Sequence, residues 1–240
     1  MKVTVLGMNG PYPAANGACS GYLVSSGEAR VQLDLGCGTL AALTALMPPE
    51  GLTALVFSHW HFDHCGDALP LIYRLADQAG RRVLPVWGPA DETSPVRAAL
   101  GLCPAVSLRD LAPGDCLTLD GLRLTAFEAR HPVPALMLRL EGEGKVLCYT
   151  GDTNTVPGLT DFARDADLLL ADGPFPKDLW AEGKPHLAAA MTASLARDAG
   201  AKRLVVTHLN PAIDPEGLLR EARAIRQDAV LAERGAVYTL

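Results

Sequence analysis

The stretch Thr53-Ala54-Leu55-Val56-Phe57-Ser58-His59-Trp60-His61-Phe62-Asp63-His64 decides how the chain is read. Its first five residues are apolar or β-branched, the mark of a short buried strand. The last six carry the pattern His-x-His-x-Asp-His. With the His and Asp content of this chain, that pattern arises by chance in roughly one such sequence in four thousand. Ordinary surface or core histidines do not require four ionisable groups within six residues. Imidazole and carboxylate together suit Zn, Mn or Fe. His59 and His61 point the same way if the segment is extended, because alternate side chains then share a face. Asp63 and His64 follow once the chain turns into a helix and aim elsewhere, so one stretch can serve two metal positions.

The same arrangement recurs outward from this segment. Arg203-Leu204-Val205-Val206-Thr207-His208 repeats the sequence of apolar strand, hydroxyl residue and histidine. His131 follows the apolar run Leu124 to Phe127, and Asp152 follows Val146-Leu147-Cys148-Tyr149-Thr150-Gly151. Taken singly, His131 reads as a turn residue, Asp152 as a turn or cap, and His208 as a strand-end histidine. Together they share the carboxyl ends of apolar strands, where open α/β sheets place their ligand sites.

The spacing of turns predicts strands over 2–6, 21–25, 29–35, 53–58, 83–87, 167–171, 203–207 and 236–240. It predicts hairpins over 116–127, around Asp120-Gly121, and over 135–150, around Glu141 to Gly144. Helices are expected over 38–47, 64–79 with a stop at Gly80, 89–100, 158–164, 187–199 and 215–227. No repeat, low-complexity tract or linker interrupts the 240 residues, so one mixed α/β domain spanning 1–240 is expected. The chain is 49% hydrophobic with a net charge of −6, which excludes a disordered protein and disfavours a broad basic face for duplex nucleic acid. No apolar run approaches the ~20 residues of a membrane span. The first residues read as a strand rather than a signal peptide, and six dispersed cysteines without a CxxC motif fit a reducing cytoplasm. A homodimer is left open.

With these residues in hand, the whole chain resembles the metallo-β-lactamase superfamily. The resemblance rests on Ser58-His59-x-His61-x-Asp63-His64, His131, Thr150-Gly151-Asp152-Thr153 and Thr207-His208. It implies a four-layer αβ/βα sandwich with two divalent metal ions at its edge, zinc first, with manganese or iron as alternatives. His59, His61 and His131 would hold one ion, Asp63, His64 and His208 the other, and Asp152 would bridge them. His131-Pro132-Val133-Pro134 departs from the His-[Ser/Thr]-Pro-Gly of the thiolesterase, class B lactamase and persulfide dioxygenase branches. Gly7-x-x-Gly10-x-x-Pro13 and His186 instead resemble the ribonuclease Z-like phosphodiesterase branch, in which the added histidine lies near the scissile phosphate and Asp172 takes the place of the acid that orients it. Ala188 and Met191 stand where that branch has Thr and Glu, and no segment resembles its tRNA-binding arm. The chain is therefore similar to the shorter, armless relatives.

The activity implied is phosphodiester hydrolysis of a small or cyclic nucleotide or a short RNA end. A metal-bridging hydroxide would attack, His186 would act as general acid, and Asp63 and Asp172 complete the catalytic set. A lactone-type carboxylic substrate on the same site is the alternative, and a redox or sensory metalloprotein a third. The Gly7–Gly17 loop could offer amides to a phosphate but reads more simply as a turn. Trp60 and Phe62 are expected to pack beneath the site rather than to line it. Residues 175–185, with Lys177, Lys184 and a hinge at Gly183, form either a lid or a plain surface loop.

Overall fold

The computed structural model describes residues 1–76 and 82–240. The first half of the chain forms β1 (Lys2–Gly7), β2 (Gly21–Ser26), β3 (Ala29–Leu33), α1 (Thr39–Leu46), β4 (Ala54–Val56), α2 (Phe62–Cys65), α3 (Ala68–Ala76), β5 (Leu84–Gly88), α4 (Pro95–Gly101) and β6 (Val106–Asp110). The second half forms β7 (Cys116–Leu119), β8 (Leu122–Glu128), β9 (Leu136–Gly142), β10 (Lys145–Tyr149), α5 (Leu159–Ala163), β11 (Leu168–Asp172), α6 (Ala189–Asp198), β12 (Leu204–Thr207), α7 (Pro215–Arg223), β13 (Val230–Leu231) and β14 (Val237–Thr239). Two sheets result, ordered β14-β1-β2-β3-β4-β5-β6 and β13-β12-β11-β10-β9-β8-β7. Each begins as antiparallel hairpins and continues as parallel strands linked by helices, β3 to β6 in one and β10 to β13 in the other.

Strand alternation assigns side chains to layers. Val3, Val5, Val24 and Val31 face Leu124, Leu138, Leu140 and Leu147 across the gap between the sheets. Leu6, Leu23, Leu55 and Phe57 point outward, beneath Leu43 of α1, Leu71 of α3 and Leu100 of α4. Leu169, Ala171 and Val206 point outward on the other side, beneath Phe162 of α5, Ala193 and Ala196 of α6 and Leu218 of α7. The expected αβ/βα sandwich is thus the observed one. The hairpin at Asp120-Gly121 turns with φ 47° and 86°, and that at Glu143-Gly144 with φ 53° and 69°, the positive pair a two-residue turn needs.

Several boundaries differ from the expectation. The single helix expected from residue 64 is two. Gly66 and Asp67 break it, because the Asp67 carboxylate accepts from the Leu40 amide at 2.8 Å and its own amide donates to Leu35. Its expected stop at Gly80 lies outside the described residues. The helix expected from residue 89 begins only at Pro95, where Ser94 Oγ caps the Arg97 amide at 3.2 Å. The helix expected to reach 227 ends at Arg223, beyond which the Arg226 guanidinium is held by the carbonyl of Lys202 at 2.7 Å. The edge strands β6 and β13 carry no alternating pattern strong enough to announce them.

Candidate metal centre

Four strands deliver the site residues from their carboxyl ends: β4 to His59, β8 to His131, β10 to Asp152 and β12 to His208. α2 begins at Phe62 and turns Asp63 and His64 inward, where both are buried. His208 holds φ at 59°, a left-handed backbone uncommon for a residue with a Cβ and typical of functional positions. The neighbouring loop is shaped to it. A Cβ on Gly10 would stand 1.9 Å from the His208 ring, so only glycine fits there.

Three groups of ligand-type atoms converge among the described residues: His59, His61, His131 and Asp152; Asp63, His64, Asp152 and His208; and Asp152, Asp172 and His186. His61 Nδ1 lies 3.1 Å from His59 Nε2 and 3.0 Å from His131 Nε2. An Asp152 carboxylate oxygen lies 3.2 Å from His64 Nε2 and 3.2 Å from His208 Nδ1. Such spacings approach the edge of a tetrahedron with arms of about 2.0–2.1 Å, the length of a metal–imidazole bond. His64 Nε2 and Asp152 Oδ1 are buried and have no hydrogen-bond partner, a costly condition that a cation would relieve.

The electrostatics fit the same purpose. Burial lowers the basicity of His131 to about 4 and of His208 to about 3, and holds His59 well below its usual range, so these rings present free lone pairs at neutral pH. Burial opposes a charge on His64 too, but Asp152, Asp34 and Asp63 outweigh it and favour a positive charge at that point. Burial works against ionised Asp152 as well, yet the imidazoles of His208, His64 and His59 keep it well below the usual carboxylate range. The donor set therefore suits divalent cations.

Asp34 is the residue that sequence reasoning missed. It is fully buried, holds φ at 52°, and accepts from the Ser58 amide at 2.7 Å, Ser58 Oγ at 2.8 Å, Tyr149 Oη at 2.6 Å and His64 Nδ1 at 2.8 Å. Its signal was present, since β3 runs into Asp34 as the other strands run into His or Asp. Fixing one ring nitrogen of His64 aims the other into the site.

His186 and Asp172, which the resemblance pairs, lie side by side. His186 Nδ1 lies 2.9 Å from Asp172 Oδ2, and the His186 ring stacks on His208 with centroids 4.8 Å apart. Burial disfavours the cation, but Asp172 overrides it and pushes His186 up to about 9, while burial lifts Asp172 to about 6.

Four other expectations concern the surroundings of the site. Trp60 is buried and its indole donates to the carbonyl of Pro89 at 2.7 Å, as expected. Phe62 corrects the expectation made for it: it is 62% exposed and lines an open cavity beside His61. In the Gly7–Gly17 loop the amides of Met8, Asn9, Gly10, Ala14 and Gly17 all donate within the protein, which leaves the loop a turn. Segment 175–185 is tied to the body: Asn154 Nδ2 donates to the carbonyl of Glu182 at 3.3 Å, the Trp180 indole donates to that of His186 at 3.1 Å, and the Lys177 amide donates to the Glu221 carboxylate at 2.9 Å.

Comparison with known proteins follows the same outline. The family described as Beta-lactamase superfamily domain matches residues 29–209. The probable metallo-hydrolase YhfI of Bacillus subtilis is 32% identical over 247 residues, covering 99% of each protein. Its crystal structure superposes with a TM-score of 0.92 at 30% identity, again over 99% of each chain. Ribonuclease Z of Methanosarcina acetivorans is 26% identical over 295 residues, covering 97% of this chain and 96% of that protein. The short form of human tRNase Z shares the fold with a TM-score of 0.79 at 21% identity, covering 100% of this chain and 99% of that one. The chain belongs to the β-lactamase superfamily, with a ribonuclease Z among its relatives.

Proposed function

We propose that this metal-dependent hydrolase is a phosphodiesterase that works as a single domain with two divalent transition-metal ions, zinc in the first instance, on a small or cyclic nucleotide or a short RNA end in the cytoplasm. His59, His61 and His131 hold one ion, Asp63, His64 and His208 the other, and Asp152 reaches both. When bound, such ions supply Lewis acidity and activate water at neutral pH. The observation that carries the reading is the His186–Asp172 pair, 2.9 Å long, set beside both clusters. Asp172 engages Nδ1 and so fixes the ring with Nε2 free toward the substrate. It also keeps the proton on the imidazole at neutral pH, ready for the leaving oxygen. Thr150 Oγ1 accepts from the Asp172 amide at 2.9 Å and the Thr153 amide donates to its carboxylate at 3.1 Å, which holds the acid in place.

Exposed Phe62 supports a substrate that carries a ring. With His61, Asp91 and Thr93 it borders a cavity of about 160 Å³, into which a base can lean on the phenyl face. The net charge of −6 favours a compact phosphate over a long polyanion. The test is a paired assay on protein purified without chelator. Turnover of bis(p-nitrophenyl) phosphate but not of a lactone supports the reading; the reverse selects the carboxylic substrate. Metal analysis is expected to find about two ions per chain, and none would overturn the dinuclear assignment.

A further inference from the structure

Away from the metal centre, the outer face of the first sheet carries a second cavity. Strand register places Lys2, Ser25 and Arg30 in one row across β1, β2 and β3, because Lys2 pairs with Ser25 and Ser25 with Arg30. Thr4 lies one row further along the same face, opposite Leu23 and Val237. α1 covers part of this face and leaves a cavity of about 480 Å³ between its Leu46 and the strands, with Arg234 also in its lining. A cavity of this size falls in the range that encloses small ligands.

The chemistry of the lining is one-sided. Lys2, Arg30 and Arg234 all border the cavity, no acidic residue does, and none of the three has an ion-pair partner among the described residues. Three unopposed cations around one hollow stand out in a chain whose net charge is −6. The Arg30 and Arg234 guanidinium groups are steadied from behind by backbone carbonyls, at 2.7 Å from Gly27 and 2.8 Å from Asn16. Thr4 is only 6% exposed, lines the cavity, and its hydroxyl makes no hydrogen bond to any described residue, and the Ser25 hydroxyl makes none either. Both hydroxyls are thus free to bond to a group that enters the hollow. Leu46 is 56% exposed at the rim and supplies an apolar wall.

We propose that this cavity binds a small amphiphilic anion from solution, with a carboxylate or phosphate head among Lys2, Arg30, Arg234 and the two hydroxyls and a short apolar body against α1. The site is independent of the phosphodiesterase reading and shares no residue with the metal clusters.

Calorimetric titration with decanoate below its micelle concentration tests it, with acetate and decyltrimethylammonium as controls for head and tail. One saturable decanoate site per chain is expected, with no comparable binding of either control. Thr4→Val should weaken it several-fold, and Lys2→Glu with Arg234→Glu at least tenfold, while turnover of bis(p-nitrophenyl) phosphate and the melting temperature in the absence of decanoate stay near those of the parent protein. The proposal is overturned by equal binding of decyltrimethylammonium, or by decanoate affinity that survives the charge reversals. It is also overturned if the protein sediments with phosphatidylglycerol vesicles but takes up no free decanoate, which would make the face a lipid-surface contact. Should the double variant not fold, the Thr4→Val result decides alone.

Discussion

His186 is held by Asp172 at 2.9 Å, with Asp152 3.8 Å away, and belongs to neither proposed ligand set, which makes its role separable from metal retention. His186→Ala is expected to lower phosphodiester turnover by about 10²- to 10⁴-fold, the range of a lost general acid, with metal content by elemental analysis unchanged. A loss of metal instead would make it a ligand. Phe62 permits a second separation, because its ring is exposed and supports no neighbour in the core. Phe62→Ala should raise KM for nucleoside phosphodiesters while leaving that for a ringless dialkyl phosphodiester unchanged. An equal change on both would remove Phe62 from substrate recognition.

The local elements explain why these side chains arrive together. Asp34 joins β3, the start of the His-rich segment and β10 through four hydrogen bonds, so it is a positioning residue that acts on metal through His64. Asp34→Asn keeps the shape but not the acceptor that fixes the His64 tautomer. Metal affinity is expected to fall by about 10- to 100-fold, measured by competition with a chromogenic chelator. Elsewhere Asp167 ties β10 to β11: it accepts from the Val146 amide at 2.9 Å and from Lys202 at 2.9 Å. Burial alone would raise its pKa, but Lys202, the Val146 amide and Lys145 bring it below the usual carboxylate value. A carboxylate depressed in the folded state adds stability above its unfolded pKa of about 4 and loses it as the pH falls through the folded value. Asp167→Asn should therefore narrow the stability difference between pH 7 and pH 3 in urea unfolding, and an unchanged difference would refute the linkage.

For the molecule as a whole, the layers were legible because strand alternation and hydrophobic runs are properties of short windows. The His-x-His-x-Asp-His segment and the strand-end His and Asp residues were legible for the same reason. Asp34 was not recognised, although β3 runs into it, because its role is set by three partner residues that lie up to 115 positions away. Phe62 was misjudged because the helix that begins with it is a single turn, too short to reveal which side faces out. The break at Gly66-Asp67 likewise depends on Leu40, a tertiary partner. Metal removal is a prediction at this scale. At a thousandfold excess over Kd, each ion adds about 4 kcal/mol of stability, so chelation should lower the melting temperature by roughly 10 °C or more in calorimetry. An unchanged melting temperature would show that the buried imidazoles are satisfied without cations.

The site residues are divided between the two sheets, and that division sets a timetable. His59, His61, Asp63 and His64 leave the ribosome early, whereas His208 follows His59 by 149 residues. With the ligands proposed, one metal position waits for Asp152 and the other for His208, so neither is complete on a chain that stops before residue 152. Loading of both positions then reports that the chain has reached His208, and fragments that stop short of it lack the second position.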